Sequence, residues 1–124
     1  MKSRSKILVV DDEECIRNTL EIFLADEGYD VTTAGNYKEG LAILDHKEFN
    51  LIIVDMILRD GSGLDLIHEI KARNRNCQVI IITGAPTDET ASYAYQKGAF
   101  EYIPKPVRKD ELLRVVNTAL SSFK

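Results

Sequence analysis

Short apolar runs rich in β-branched residues recur along this chain, and stretches long enough for helices separate them. The runs occupy residues 7–10, 31–34, 51–54, 79–82 and 100–103. The first, third and fourth runs are apolar at every position, which is typical of strands that helices cover on both faces. Five such strands alternating with helices predict an α/β fold, a parallel sheet with five flanking helices.

Polar residues and glycines mark where the predicted helices begin and end. The expected N-caps of the first four helices are Asp12, Asn36, Ser62 and Thr87. Asn36 followed by Glu39 also resembles a capping box. Gly28 and Gly98 are expected to follow the first and fourth helices, and the fifth helix is expected to begin near Arg108.

The fourth predicted helix has the smallest apolar face. Its candidate buried residues are Ala91, Ala94 and Tyr95, whereas the last helix presents leucines and valines. Burial contributes about 25 cal/mol for each Å² of apolar surface, so an alanine stripe stabilises a helix less than a leucine stripe does. The fourth helix is therefore expected to be the least tightly held and a candidate for movement.

Length and composition exclude several classes of protein. The 124 residues suffice for a single domain, taken as residues 1–124, and 20 acidic against 16 basic side chains disfavour nucleic-acid binding. No apolar run approaches the roughly 18 residues of a membrane span, and none forms the apolar segment of a signal peptide. Cys15 and Cys77 match no metal or redox spacing and are expected to be buried or half-buried thiols in a cytoplasmic protein.

Charged and hydroxyl side chains follow four of the five predicted strands. Asp11 and Asp12 follow the first strand, and Asp55 follows the third. Thr83 follows the fourth strand, and Lys105 comes shortly after the fifth. Because the carboxyl ends of parallel strands meet at one edge, where open α/β folds bind ligands, we expect these five side chains to form one site.

Three carboxylates at one site repel one another. Two like charges about 4 Å apart do so by on the order of 4 kcal/mol at an effective dielectric constant of 20. A hard divalent cation such as Mg²⁺ relieves this repulsion, and a lysine with a hydroxyl completes a cradle for a phosphoryl group, with one aspartate as nucleophile. Singly, a helix cap (Asp12), a turn residue (Asp55) or a surface charge (Lys105) is the commoner explanation, so the prediction rests on their joint occurrence.

Five motifs, in this order and spacing, resemble those of receiver domains of two-component response regulators. They occupy residues 7–13, 51–55, 60–64, 82–84 and 102–106, and the similarity spans nearly the whole chain. The resemblance implies the flavodoxin-like sheet, with strand order 2-1-3-4-5. Residues 60–64 and 106–113 are similar to receivers of NtrC-type transcription activators, whereas Arg59 stands where the family usually has a proline.

The resemblance implies a self-directed phosphotransfer rather than conventional enzyme activity. Asp55 is the implied phospho-acceptor, which attacks the phosphorus of a phosphohistidine on a sensor histidine kinase or a phosphotransfer protein. The implied Mg²⁺ ligands are the carboxylates of Asp12 and Asp55, the backbone carbonyl of Ile57 and, mostly through water, Asp11. Later loss of the phosphoryl group is implied to occur at the same site.

The resemblance also implies how the signal leaves the site. Lys105 pairs with the phosphoryl oxygens, Thr83 hydrogen-bonds one of them, and Tyr102 is the aromatic switch residue. The surface of the fourth helix, fifth strand and fifth helix then shifts. This surface is implied to control an output domain, a partner protein or a second copy of the chain, with no membrane contact.

Two other functions fit parts of the pattern. An aspartyl-phosphate hydrolase usually has a second aspartate two residues after its nucleophile, but Asp11 and Asp12 are adjacent and Met56 and Ile57 follow Asp55. A pseudo-receiver that serves only as a binding scaffold does not need the full set of Asp12, Asp55, Thr83 and Lys105. The phosphorylatable switch is therefore the favoured hypothesis.

Overall fold

The parallel sheet predicted from the apolar runs forms in the strand order 2-1-3-4-5. The protein is represented by a computed structural model that describes residues 4–121. The strands are β1 (Lys6–Val10), β2 (Asp30–Ala34), β3 (Leu51–Asp55), β4 (Gln78–Thr83) and β5 (Glu101–Pro104). The helices within these residues are α1 (Glu14–Ala25), α2 (Tyr37–Leu44), α3 (Gly63–Arg73), α4 (Asp88–Lys97) and α5 (Lys109–Ser121).

Two layers of helices bury both faces of the sheet. Alternate strand residues such as Leu8, Ile52 and Ile81 pack towards α2, α3 and α4. The residues between them, such as Val9 and Ile53, pack towards α1 and α5. All of these side chains are fully buried, which explains why the central strands are apolar at every position.

The register of the strands brings their carboxyl ends to one edge. Val10 lies opposite both Ala34 of β2 and Val54 of β3. Asp55 lies opposite Ile82 of β4. The residues that directly follow β1, end β3 and end β4 are therefore neighbours across the sheet, as the sequence predicts.

Three of the four predicted N-caps are confirmed. Asn36, Ser62 and Thr87 each accept a backbone N–H of the first turn with their side chain. Asp12 is not a cap: α1 begins after Glu13, which makes no side-chain cap bond. The carboxylate of Asp12 instead accepts the N–H of Arg59, across the sheet edge. The prediction is wrong because a neighbouring loop provides Asp12 with a different partner.

Helix α4 has little apolar burial, as predicted, but its buried face is smaller than expected. Ala94 is the one fully buried residue of this helix, and Ala91 is half-buried. The prediction that Tyr95 belongs to the buried face is wrong. Its side chain is 46% exposed, and its hydroxyl donates to the carboxylate of Glu101 on β5.

The expectation for the cysteines is half correct. Cys77 is buried, and burial raises the pKa of its thiol to about 12. Cys15 is exposed on α1, contrary to the expectation. None of the helices within residues 4–121 combines the length and apolar character needed to cross a membrane.

The small buried face of α4 predicts that this helix opens more readily than α1, which buries Leu20 and Leu24. Backbone amides of α4 are expected to exchange with solvent at least about tenfold faster than those of α1 after correction for intrinsic rates. Hydrogen exchange read by NMR measures both helices in one experiment. Equal protection of the two helices would contradict the prediction.

Candidate functional site

Three aspartates converge at the carboxyl ends of β1 and β3. One carboxylate oxygen from each of Asp11, Asp12 and Asp55 lies within 4.8 Å of the other two. Asp11 is fully buried, Asp55 is 6% exposed and Asp12 is half-buried. The predicted convergence of the acidic residues is therefore present in the fold.

Lys105 reaches into this cluster from the loop after β5. Its Nζ lies 2.9 Å from Oδ2 of Asp55 and 3.1 Å from Oδ2 of Asp11. Its backbone N–H donates to the carbonyl of Thr83, which anchors the loop beside the end of β4. Burial alone would lower the pKa of Lys105, but the hydrogen bond to Asp55 and the charge of Asp11 outweigh it and raise that pKa. The lysine therefore stays charged.

Asp11 lacks a full set of partners. Its Oδ1 accepts the N–H of Glu13, whereas its buried Oδ2 has no hydrogen-bond partner within residues 4–121. The Lys105 ammonium lies at ion-pair distance from Oδ2 but without hydrogen-bond geometry. Burial raises the pKa of Asp11, and the charge of Asp55 adds to the rise, against the opposing effects of the Glu13 N–H and Lys105.

The donor set of the cluster fits a hard divalent cation. Three carboxylates and one ammonium give a formal net charge of −2, and all the cluster's metal-ligating atoms are oxygens. Oδ2 of Asp11, which is buried, has no hydrogen bond from the described part of the chain. Oxygen ligands with this charge are those that Mg²⁺ and Ca²⁺ prefer.

The loop after β3 folds as a small hairpin over the cluster. The pair Ile57–Leu58 runs antiparallel to Gly61–Ser62. The N–H of Ile57 donates to Asp55 Oδ1 at 3.2 Å, so its backbone lies beside the acidic cluster, as a backbone ligand must. A side chain at Gly63 would meet the carbonyl oxygen of Asp55 at 2.3 Å, so only glycine fits there.

Thr83 and Tyr102 lie on the neighbouring strands β4 and β5. Thr83 is fully buried at the end of β4, and its hydroxyl accepts the N–H of Ala85, which leaves its proton to donate elsewhere. Tyr102 lies on β5, and its hydroxyl contacts the Thr90 hydroxyl at 2.5 Å and the Thr87 N–H at 3.3 Å. Tyr102 therefore contacts the start of α4 rather than the carboxylates.

The structure adds two charged residues, Glu13 and Arg59, to the site that the sequence predicted. Glu13 Oε1 lies 3.4 Å from Lys105 Nζ, and Arg59 Nε lies 3.7 Å from Asp12 Oδ2. Glu13 directly follows Asp11 and Asp12, so its position in the sequence could have indicated that it belongs to the site. Arg59 is 85% exposed in its side chain, so its ion pair with Asp12 is weak.

The family model of the response regulator receiver domain matches residues 7–117 of the chain. The chain belongs to this family. Its receiver domain is 43% identical over 118 residues to the response regulator protein PilR of Pseudomonas aeruginosa, covering 95% of this chain and 26% of PilR. The chain thus spans about a quarter of that curated relative.

Two solved structures share the receiver fold closely. The beryllofluoride-activated NtrC4 receiver domain dimer has a TM-score of 0.91 and 34% identity, and the match covers 96% of this chain and 98% of that one. A response regulator of Burkholderia pseudomallei with a phosphorylated aspartic acid, calcium ion and citrate has a TM-score of 0.86 and 32% identity. This match covers 94% of this chain and 69% of that one. The similarity to PilR and NtrC4 supports the NtrC-type branch of the family.

The unbalanced charge of the cluster predicts that removing one carboxylate stabilises the metal-free receiver domain. Asp12→Asn removes a charge without touching the Lys105 ion pairs and keeps an acceptor for the Arg59 N–H. Its unfolding free energy in EDTA is expected to rise by about 1 kcal/mol, because repulsion within the cluster falls. Urea unfolding measures the change.

The control for that experiment is Glu48→Gln, which neutralises an exposed carboxylate in the loop before β3. Its effect is expected to stay within about 0.5 kcal/mol, as for ordinary surface changes. A loss of stability in Asp12→Asn, or an equal gain in both variants, would contradict the electrostatic explanation.

Proposed function

We propose that residues 1–124 act as one receiver module, a switch that phosphorylation of Asp55 turns on. The phosphoryl group comes from the phosphohistidine of a sensor histidine kinase or a phosphotransfer protein. The observation that carries the proposal is the contact of 2.9 Å between Lys105 Nζ and Asp55 Oδ2 within the aspartate cluster. A carboxylate that is paired with an ammonium, beside two further acids, is suited to receive a phosphoryl group.

The residues of the chain have distinct roles in this transfer. A carboxylate oxygen of Asp55 attacks phosphorus, the O–P bond forms as the N–P bond breaks, and the imidazole nitrogen keeps the bonding electron pair. The Lys105 ammonium and the Thr83 hydroxyl donate to the phosphoryl oxygens. Because the product stays attached until hydrolysis restores the aspartate, the module acts once per cycle and is not a conventional enzyme.

The cation that we propose for the cluster is Mg²⁺. Asp12, Asp55 and the backbone carbonyl of Ile57 would hold it, and Asp11 would do so mostly through water. When bound, it supplies positive charge to the phosphoryl oxygens. The three-aspartate cluster and the calcium ion named for the Burkholderia relative support a divalent cation here.

The output that we propose passes through Thr83 and Tyr102 to the surface of α4, β5 and α5. If Thr83 moves towards the phosphoryl group, the Tyr102 ring gains room to turn inward. Its hydroxyl then leaves Thr87 and Thr90 at the start of α4. The shifted surface would control an output domain, a partner protein or a second copy, as the NtrC4 dimer suggests. Control of transcription is the output that similarity to NtrC-type regulators supports.

Incubation with acetyl phosphate and Mg²⁺, followed by intact mass measurement, tests the phospho-acceptor. Wild type is expected to gain one phosphoryl group that hydroxylamine removes, and Asp55→Asn is expected to gain none. Asp110→Asn, which neutralises an exposed acid at the start of α5, is the matched control and is expected to behave as wild type. Consumption of acetyl phosphate without an adduct would favour a hydrolase, and neither adduct nor turnover would favour a scaffold.

The role of Tyr102 is tested with beryllofluoride as a stable mimic of the phosphoryl group. Amide NMR shifts of Asp55 and Thr83 are expected to respond fully in Tyr102→Ala, whereas shift changes across α4 fall to less than about half, since coupling needs a physical two-state element. Tyr102→Phe keeps the ring and is expected to retain the α4 response. An unchanged α4 response in Tyr102→Ala would mean that the ring does not couple the site to this helix.

A further inference from the structure

Asp60, at the tip of the 57–62 hairpin, accepts two hydrogen bonds from the start of α2. Its Oδ1 accepts the N–H of Tyr37 at 2.8 Å, and its Oδ2 accepts the N–H of Lys38 at 3.0 Å. These N–H bonds lower the pKa of Asp60, so its carboxylate stays ionised. The side chain thus joins two segments that lie more than twenty residues apart in sequence.

The backbone N–H groups of the first turn of α2 are shared between two caps. Those of Tyr37 and Lys38 go to Asp60, and that of Glu39 goes to Asn36 at 2.8 Å. Asn36 is a local cap of the ordinary kind. Asp60 differs because it belongs to another loop, so its bonds also restrain the hairpin.

The same hairpin is attached to the acidic cluster at its other side. The Ile57 N–H donates to Asp55, and the Arg59 N–H donates to Asp12, both at 3.2 Å. The ring of Tyr37 covers Gly61, where a Cβ would meet it at 2.8 Å. The hairpin therefore lies between two anchors, the carboxylates on one side and the start of α2 on the other.

We propose that Asp60 is a positioning residue for the cation site: by clamping the hairpin tip to α2, it holds the Ile57 and Arg59 backbone against Asp55 and Asp12. The inference rests on the proposed function, because it concerns the same Mg²⁺ site. Asp60 is not one of the residues that we propose to hold the cation or the phosphoryl group. Its effect passes through the hairpin, as the outer partners of metal ligands act through the groups they orient.

The test compares two variants that remove caps of the same helix. Asp60→Ala removes the clamp and two bonds to α2, whereas Asn36→Ala removes one bond to α2 and leaves the hairpin attached. Calorimetric titration with Mg²⁺ is expected to give a Kd raised about tenfold in Asp60→Ala, as when an outer partner is lost, and unchanged in Asn36→Ala. Urea unfolding of both variants shows whether any difference follows stability alone.

Asp60→Asn distinguishes the effect of the hydrogen bonds to α2 from the effect of the negative charge. It loses the same negative charge as Asp60→Ala, but its side-chain carbonyl still accepts one N–H, so its Kd is expected to lie nearer that of wild type. In metal-free protein, exchange of the Ile57 and Arg59 amides is expected to be faster in Asp60→Ala than in Asn36→Ala. This second readout does not depend on the cation.

Each outcome bears on one of the two proposals. If wild type binds Mg²⁺ and Asp60→Ala binds it equally well, the positioning role of Asp60 is overturned and the proposed function stands. If Asp60→Asn binds Mg²⁺ as weakly as Asp60→Ala does, the loss of charge explains the effect and the positioning role is again overturned. If wild type itself binds no Mg²⁺, the cation part of the proposed function fails, and the amide exchange alone still tests the clamp.

Discussion

The crowding of three aspartates, two of which pair with Lys105, is the constraint on which the rest of this receiver domain depends. One oxygen of each aspartate lies within 4.8 Å of the other two, and Asp11 and Asp55 are almost completely buried. Such repulsion persists only where the surrounding structure holds the charges in place. Here two adjacent central strands set the positions of Asp11 and Asp55, and the loop after β5 brings Lys105 between them. The tightly packed sheet thus maintains a site whose own charges oppose its formation.

Most of the fold could be predicted because its signals are local. Strands covered on both faces must be apolar throughout, and Asn36, Ser62 and Thr87 cap helices within their own segments. Two of the wrong predictions concern side chains with a choice of partner. Asp12 binds a loop rather than its own helix, and Tyr95 turns outward to Glu101, because an amphipathic aromatic ring can satisfy its hydroxyl at the surface.

The main members of the site could be predicted from one rule, that parallel strands end at the same edge of the sheet. The rule brings Asp11, Asp55 and Lys105 together, although the aspartate and lysine that bond each other lie 50 residues apart. It says nothing about the loops that cover the edge. The contacts of Arg59 and Asp60 depend on the turn of a six-residue hairpin, which composition and periodicity do not determine. From the sequence, Arg59 could be recognised only as a departure from the family pattern, and Asp60 only as part of the motif at residues 60–64.

Because α4 buries little apolar surface, a local change of charge at the packed site can move this helix without disrupting the core. We propose that the cluster binds a divalent cation, and urea unfolding at increasing Mg²⁺ and constant ionic strength tests this most directly. Stability is predicted to rise by about 1.4 kcal/mol for each tenfold increase in Mg²⁺ above the dissociation constant. A free energy of unfolding that does not change with Mg²⁺ would contradict the claim.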